Sequence, residues 1–220
     1  MVADIQRLQD FPFRDAELRK AALTHRSAGN RHNERLEFLG DAVLNFVIAQ
    51  ALYQRLPDCD EGDLTRMRAH LVRGETLAAL AADMNLGMDI ELGPGELKSG
   101  GHRRASIQED ALEALLGAIL CDAGFETAQQ QILQLFEARL ANLPRPDELK
   151  DPKTRLQERL QATGRGLPDY QLVGESGPAH RKQFEATCGV ADVLTRGAGR
   201  SRRAAEQDAA RRMLEQLQAP

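Results

Sequence analysis

The sequence predicts two domains of different class: an all-helical domain over residues 1–146, and a small α+β domain ordered helix, three strands, helix over residues 147–220. From Asp15 to Leu140 apolar residues recur three and four apart with little strand-like alternation, the spacing of helices that bury one side. Pro144, Pro146 and Pro152 then fall within nine positions, a density that neither a helix nor a central strand accepts. Charge divides at nearly the same place. The formal net charge is −4, but residues 149–220 hold 13 Lys and Arg against 9 Asp and Glu, and the residues before them hold 16 against 24. A basic tail supplies attraction for a polyanion, and the acidic body is left to supply something else.

In the helical domain, Asn33-Glu34-Arg35-Leu36-Glu37-Phe38-Leu39-Gly40-Asp41 puts acids at 34, 37 and 41, steps of three and four that return to one helical face. From Leu39 to Ala49 this helix is apolar almost all round, with Ala42, Val43, Leu44, Phe46, Val47 and Ile48, so a buried helix carrying Asp41 in the core is expected. A second helix is expected to start at Ser106, where Ser106 and Glu109 form a capping-box pattern. Asp110, Glu113 and Gly117 share one of its faces, the glycine leaving room for another backbone or a ligand. Beyond Glu113 it is uncharged to Leu120.

Acids near a helix start complement its dipole for roughly 0.3–1 kcal/mol, an account that suits Glu34 and Glu109. Asp41 and Glu113 lie deeper in apolar helices and gain less, which points to function. Burying ionised carboxylates is costly without a compensating charge. Arg35 is the main basic candidate on either helix, so a divalent cation is the better compensator. All-oxygen ligation is what Mg²⁺ prefers, with Mn²⁺ able to substitute. With a phosphodiester substrate such a site implies hydrolysis by an activated water. Spacing alone does not bring the two helices together.

In the tail, Asp151 and Pro152 have the residue types of a helix start, and Leu156 and Leu160 lie one turn apart on the inner side of a helix ending near Thr163. Tyr170 and Leu172, then Phe184, Ala186, Cys188 and Val190, then Val193 alternate between glycine-containing turns, as in a three-stranded antiparallel sheet with one buried face. Ala205, Ala209, Met213 and Leu217 mark a last helix. Arg200, Arg202 and Arg203 stand at its start, where the dipole disfavours cations and a docked phosphate would reverse the penalty. Duplex RNA is read by shape and needs no aromatic platform, whereas a single-strand reader does. Tyr170 and Phe184 both occupy positions suited to the core.

The Asn33–Asp41 segment resembles the signature of the bacterial ribonuclease III family, and so do Leu23-Thr24-His25-Arg26-Ser27, Glu61-Gly62-Asp63-Leu64, the segment from Gly93 to Gly101 and the Asp110–Glu113 turn. The resemblance implies a homodimer in which each subunit cuts one strand of double-stranded RNA, leaving short 3′ overhangs and processing ribosomal, messenger and transfer RNA precursors. It implies Glu37, Asp41, Asp110 and Glu113 as Mg²⁺ ligands, with Asp41 and Glu113 closest to the chemistry, and Glu34 and Glu61 as further acids near the dimer interface or substrate valley. The tail is similar to double-stranded RNA-binding domains. That similarity implies Thr154, Gln157 and Glu158 at one minor groove, His180 with Gly177 and Pro178 at the next, and Arg202 and Arg203 on the phosphates between. The family usually has lysines where this chain has these arginines; the charge is kept and the geometry is not.

Two alternatives are a non-catalytic duplex-RNA binder, which the intact four carboxylates disfavour, and a DNA nuclease, which the shape-reading tail disfavours. The Gly93–Gly101 segment lacks P-loop spacing, so no organic cofactor is expected. Cys59, Cys121 and Cys188 show neither a zinc nor a disulfide pattern. No apolar run reaches bilayer length and the start MVADIQRLQDF is unlike a secretory signal, so a cytoplasmic protein without a membrane partner is expected.

Overall fold

The computed structural model describes residues 8–178 and 181–218, and it has the predicted classes: helices first, then helix, three strands, helix. In chain order the elements are α1 (Ala16–Leu23), α2 (Glu34–Arg55), α3 (Glu61–Leu71), α4 (Gly74–Asp83), α5 (Pro94–Lys98), α6 (Ala105–Ala123), α7 (Phe125–Ala141), α8 (Pro146–Leu149), α9 (Pro152–Ala162), β1 (Asp169–Ser176), β2 (Gln183–Val190), β3 (Val193–Gly199) and α10 (Arg202–Gln218). The chain passes from one compact unit to the other between Pro144 and Arg145.

In the first unit α6 is the central helix, packed against α1, α2, α4 and α7, and every residue from Ala111 to Ile119 is buried. Small side chains let α2 lie directly on it. A Cβ on Gly40 would stand 1.8 Å from the carbonyl oxygen of Glu113, and one on Gly117 would stand 2.1 Å from that of Leu36. Backbone meets backbone there, and only glycine permits it.

Three expectations for this unit are corrected. First, α2 is not buried all round: Val43, Leu44, Val47 and Ile48 face the core, while Ala42 and Phe46 are exposed, with Phe38 78% and Tyr53 73% exposed. Its second apolar face is left exposed by the described residues. Second, α2 is by length and composition long and apolar enough to cross a bilayer, although no such run was expected; its packing on α6 accounts for the apolar content of its inner face. Third, α6 starts at Ala105 behind an extended Arg104 with no side-chain cap, so Ser106 lies inside the first turn, two residues too late to cap.

In the second unit the Asp151 carboxylate accepts the Thr154 N–H at 3.0 Å and caps α9, with Pro152 in the first turn. The strands pair antiparallel in the order β1-β2-β3. One face of the sheet buries Ala186, Cys188 and Val190, and the core continues through Leu156 and Leu160 of α9 and Ala209, Met213 and Leu214 of α10. Gly197 brings α10 onto β3, since a Cβ there would stand 2.1 Å from the Ala209 nitrogen. Leu172 and Val193, expected on the buried face, are exposed. Leu172 stands in register opposite Ala186 but on β1, an edge strand of the sheet, whereas α10 packs on β2 and β3.

Candidate active site and nucleic-acid interface

The glycine crossing fixes the placement of the carboxylates. Glu37 and Asp41 flank Gly40 on α2, and Asp110 and Glu113 stand two turns and one turn before Gly117 on α6, so the touching backbones bring the four predicted acids to one crossing. Glu113 is 9% exposed. Burial pushes its carboxyl up to about 8, and Asp41, Glu109, Glu37 and Asp110 push in the same direction. Glu37 is also raised, by burial and then by Asp110, Glu34 and Glu109. Asp110 is raised by burial, against the opposing pull of His25 and Arg26. Asp41 was expected in the core and lies instead on the open side of α2, its Oδ1 accepting from Asn45 Nδ2 at 2.7 Å.

A polar cavity of about 370 Å³ opens beside the crossing, lined by the acids Glu34, Glu37, Glu96 and Asp110 and by the donors His25, Arg26 and Arg104. Its rim holds two ion pairs, Arg26 with Glu34 at 3.3 Å and Arg104 with Glu96 at 2.9 Å. Glu61 is not part of it. That side chain accepts from Thr65 Oγ1 at 3.0 Å and lines a separate groove of about 680 Å³ with Phe46, Tyr53 and Leu64.

Sequence reasoning assigned no role to His25, Arg26, Glu96 or Arg104, which come from loops and short elements whose spacing carries no periodic signal. It read Glu109 as a dipole acid. Glu109 also adds to the negative field on Glu113, and its Oε2 would lie 2.4 Å from a Cβ on Gly74, so its carboxylate rests against the first residue of α4.

Among the described residues no three such side chains stand close enough to hold a metal ion unaided. The fit to Mg²⁺ is one of charge and donor type. The acids at the crossing offer oxygen donors, and Glu113 is pushed up by burial and by four neighbouring acids. A hard cation that keeps several waters and takes few carboxylates suits such a set.

The second unit places its predicted contacts on two neighbouring helix starts. Lys153 of α9 reaches α10, its Nζ 2.7 Å from Glu206 Oε2 and 4.1 Å from the centroid of the Tyr170 ring. Gln157 and Glu158 are exposed on α9, Glu158 pairing with Lys150 at 2.8 Å. Thr154 is half-buried, its hydroxyl donating to Asp151 Oδ2 at 3.1 Å. At the head of α10, Arg202 pairs with Glu206 at 2.9 Å and Arg203 is exposed. The Ser201 hydroxyl accepts the Ala204 N–H at 3.1 Å, so one of the amides expected to be open to a phosphate is capped. His180 lies outside the described residues.

Residues 15–140 match the family described as ribonuclease-III-like, and residues 152–217 match the double-stranded RNA binding motif. The chain is 55% identical over 207 residues to ribonuclease 3 of Xanthomonas oryzae pv. oryzae, covering 93% of this chain and 92% of the relative. It is 51% identical over 220 residues to ribonuclease 3 of Proteus mirabilis, covering 99% and 97%. Among solved structures it is similar to the nuclease domain of ribonuclease III from Campylobacter jejuni, with 42% identity and a TM-score of 0.58 over 61% of this chain and 97% of that one. That domain is described for structural flexibility in a region involved in dimer formation.

Proposed function

This chain belongs to the ribonuclease III family and is an endoribonuclease of double-stranded RNA, and we propose that it cuts by Mg²⁺-dependent hydrolysis with Glu37, Asp41, Asp110 and Glu113 as the ligands. The observation that carries the metal reading is the carboxyl of Glu113, buried at a crossing where Asp41, Glu109, Glu37 and Asp110 all disfavour its ionised form. When bound, Mg²⁺ supplies the positive charge that activates a water and stabilises the attacking and leaving oxygens of the phosphodiester. Glu113 and Asp41 face the chemistry from the two helices, and Glu37 and Asp110 complete the oxygen set beside the cavity. Arg26 and Arg104 at the rim oppose the acids and draw the RNA backbone toward them.

The second domain supplies affinity, through Thr154, Gln157 and Glu158 on α9, the His180 loop, and Arg202 and Arg203 on α10. The working unit is a homodimer. Phe38, Phe46 and Tyr53 form an uncovered apolar face beside the groove that holds Glu61, as an interface between two copies requires. Each subunit then cuts one strand and leaves a short 3′ overhang. Glu34 and Glu61 serve at the rim and the dimer groove. The substrates are structured precursors of ribosomal, messenger and transfer RNA in the cytoplasm, where the free thiols Cys59, Cys121 and Cys188 fit a reducing setting. Incubation with a long RNA duplex, with and without Mg²⁺, tests the reading. Short duplex products that appear only with metal are expected, and equal cleavage in a chelator would overturn the metal assignment.

A further inference from the structure

Asn33 stands before α2 in the place of a capping residue and does not cap. Asp15 before α1, Asp60 before α3 and Asp151 before α9 have extended backbone, and each carboxylate accepts an N–H from the first turn of its helix. Asn33 is of the same class of residue, but its backbone is already helical, with φ −74° and ψ −20°, and its side chain makes no cap bond. The N–H groups of Glu34 and Arg35 have no acceptor among the described residues.

The main chain nonetheless holds Asn33 still. Its N–H donates to the Thr24 carbonyl at 2.9 Å, and its own carbonyl accepts the N–H groups of Leu36 and Glu37, both at 2.9 Å. The residue is 2% exposed, and its enclosed Nδ2 makes no hydrogen bond. A buried amide without a partner is destabilising, and a fold that keeps one has a use for it elsewhere.

That use lies in the polar cavity beside the crossing. Asn33 lines it together with Glu37 and Asp110, and with Arg26 and Arg104. The two arginines are already paired with Glu34 and Glu96, whereas the Asn33 amide is uncommitted. A half-turn about the Cβ–Cγ bond exchanges nitrogen and oxygen within one envelope, so the amide can present its NH₂ to the cavity. A neutral donor beside two arginines and the uncapped start of a long helix suits an anionic oxygen, and a phosphate is the anion that RNA brings.

We propose that Asn33 is a substrate-binding residue: its carboxamide donates to a non-bridging oxygen of the RNA phosphate next to the one cut, and so sets the register of the strand against the acids of the crossing. The inference rests on the reading of this cavity as the cleavage site.

The test is single-turnover cleavage, with Mg²⁺, of an RNA duplex that has one defined cutting site. Phosphates on either side of that site are replaced one at a time by uncharged methylphosphonates, and the full-length protein is compared with Asn33→Ala. At one neighbouring position the replacement is expected to slow the unsubstituted protein roughly tenfold or more, as loss of a hydrogen bond to a charged group does. Asn33→Ala is expected to cut the unmodified duplex slower by a similar factor and to lose nothing further at that position, with losses elsewhere equal in the two proteins. Its melting temperature without RNA is expected to be unchanged, because no bond within the protein is removed. Equal losses at every position in the two proteins overturn the proposal alone. If Asn33→Ala does not fold, Asn33→Ser, whose shorter side chain does not reach that oxygen, decides by the same comparison. If Glu113→Gln cuts at the normal rate, the reading of the cavity as the cleavage site falls and takes this inference with it.

Discussion

Glu113 in α6 and Glu206 in α10 are each 9% exposed, and their surroundings push them in opposite directions. Burial and four acids raise Glu113 to about 8, so without a cation it holds a proton at neutral pH. Lys153, and with it Arg202, holds the Glu206 carboxyl below the usual carboxylate range against the opposing effect of burial. One carboxylate is satisfied by its own fold, and the other is left for something from outside. The difference separates a group that maintains the fold from a group poised for chemistry.

Removing the charge from each is the most direct way to break that comparison. Glu113→Gln is expected to abolish cleavage, by on the order of 10³-fold or more in kcat, while duplex binding stays intact. The same substitution relieves like-charge repulsion, so the metal-free protein is expected to melt higher than the unsubstituted one at pH 8. Single-turnover cleavage, gel-shift titration and calorimetry in a chelator read the three quantities. Cleavage at the normal rate would remove Glu113 from the metal site.

Glu206→Gln is expected to do the reverse. It leaves Lys153 and Arg202 facing a neutral amide and costs about 1–3 kcal/mol of second-domain stability, with cleavage at low salt little changed. Urea unfolding followed through amide signals of β2 and β3 measures it. A stability equal to that of the unsubstituted protein would mean that the Lys153–Glu206 pair is carried by its surroundings.

The acidity dependence sharpens the contrast because the signs differ. A carboxyl whose folded-state pKa is raised binds its proton more tightly when folded, so the Glu113 contribution falls as pH climbs from the usual carboxylate range toward 8 in the absence of metal. For Glu206 the folded-state pKa is lowered, and its contribution is present above the usual carboxylate range and lost as pH falls through it. The helical unit is therefore expected to soften toward pH 8 in a chelator and the second unit toward acid. Mg²⁺ added at pH 7 should release close to one proton, read as a dependence of the binding heat on buffer ionisation enthalpy. No proton release would mean that Glu113 is already ionised.

Much of this was legible in the sequence because it is periodic. The alternation in Phe184–Val190 and the three-and-four spacing of Asp110, Glu113 and Gly117 are properties of one strand and one helix. The meeting of α2 with α6 is not, since it depends on Gly40 and Gly117 facing each other across 77 positions of chain. The exposure of Phe46 and Tyr53 was hidden for a related reason: an apolar face packed on α6 and one left open have the same composition. His25 and Arg104 were missed because loops place them, and Glu96 because its five-residue helix is too short to show a period.

The smallest effect expected separates the two arginines at the head of α10. Arg202 is engaged with Glu206, whereas Arg203 makes no ion pair among the described residues and its charge is free for a phosphate. Arg203→Ala should therefore lower duplex affinity without changing domain stability, and flatten the dependence of affinity on salt by about one unit of log–log slope. Arg202→Ala should flatten the slope less, because part of its charge already neutralises Glu206, and should also lower the melting temperature of the domain slightly. Affinities measured between low and physiological salt give the slopes. If Arg203→Ala left the slope unchanged, the charge that reads the phosphates would have to be sought elsewhere on the tail.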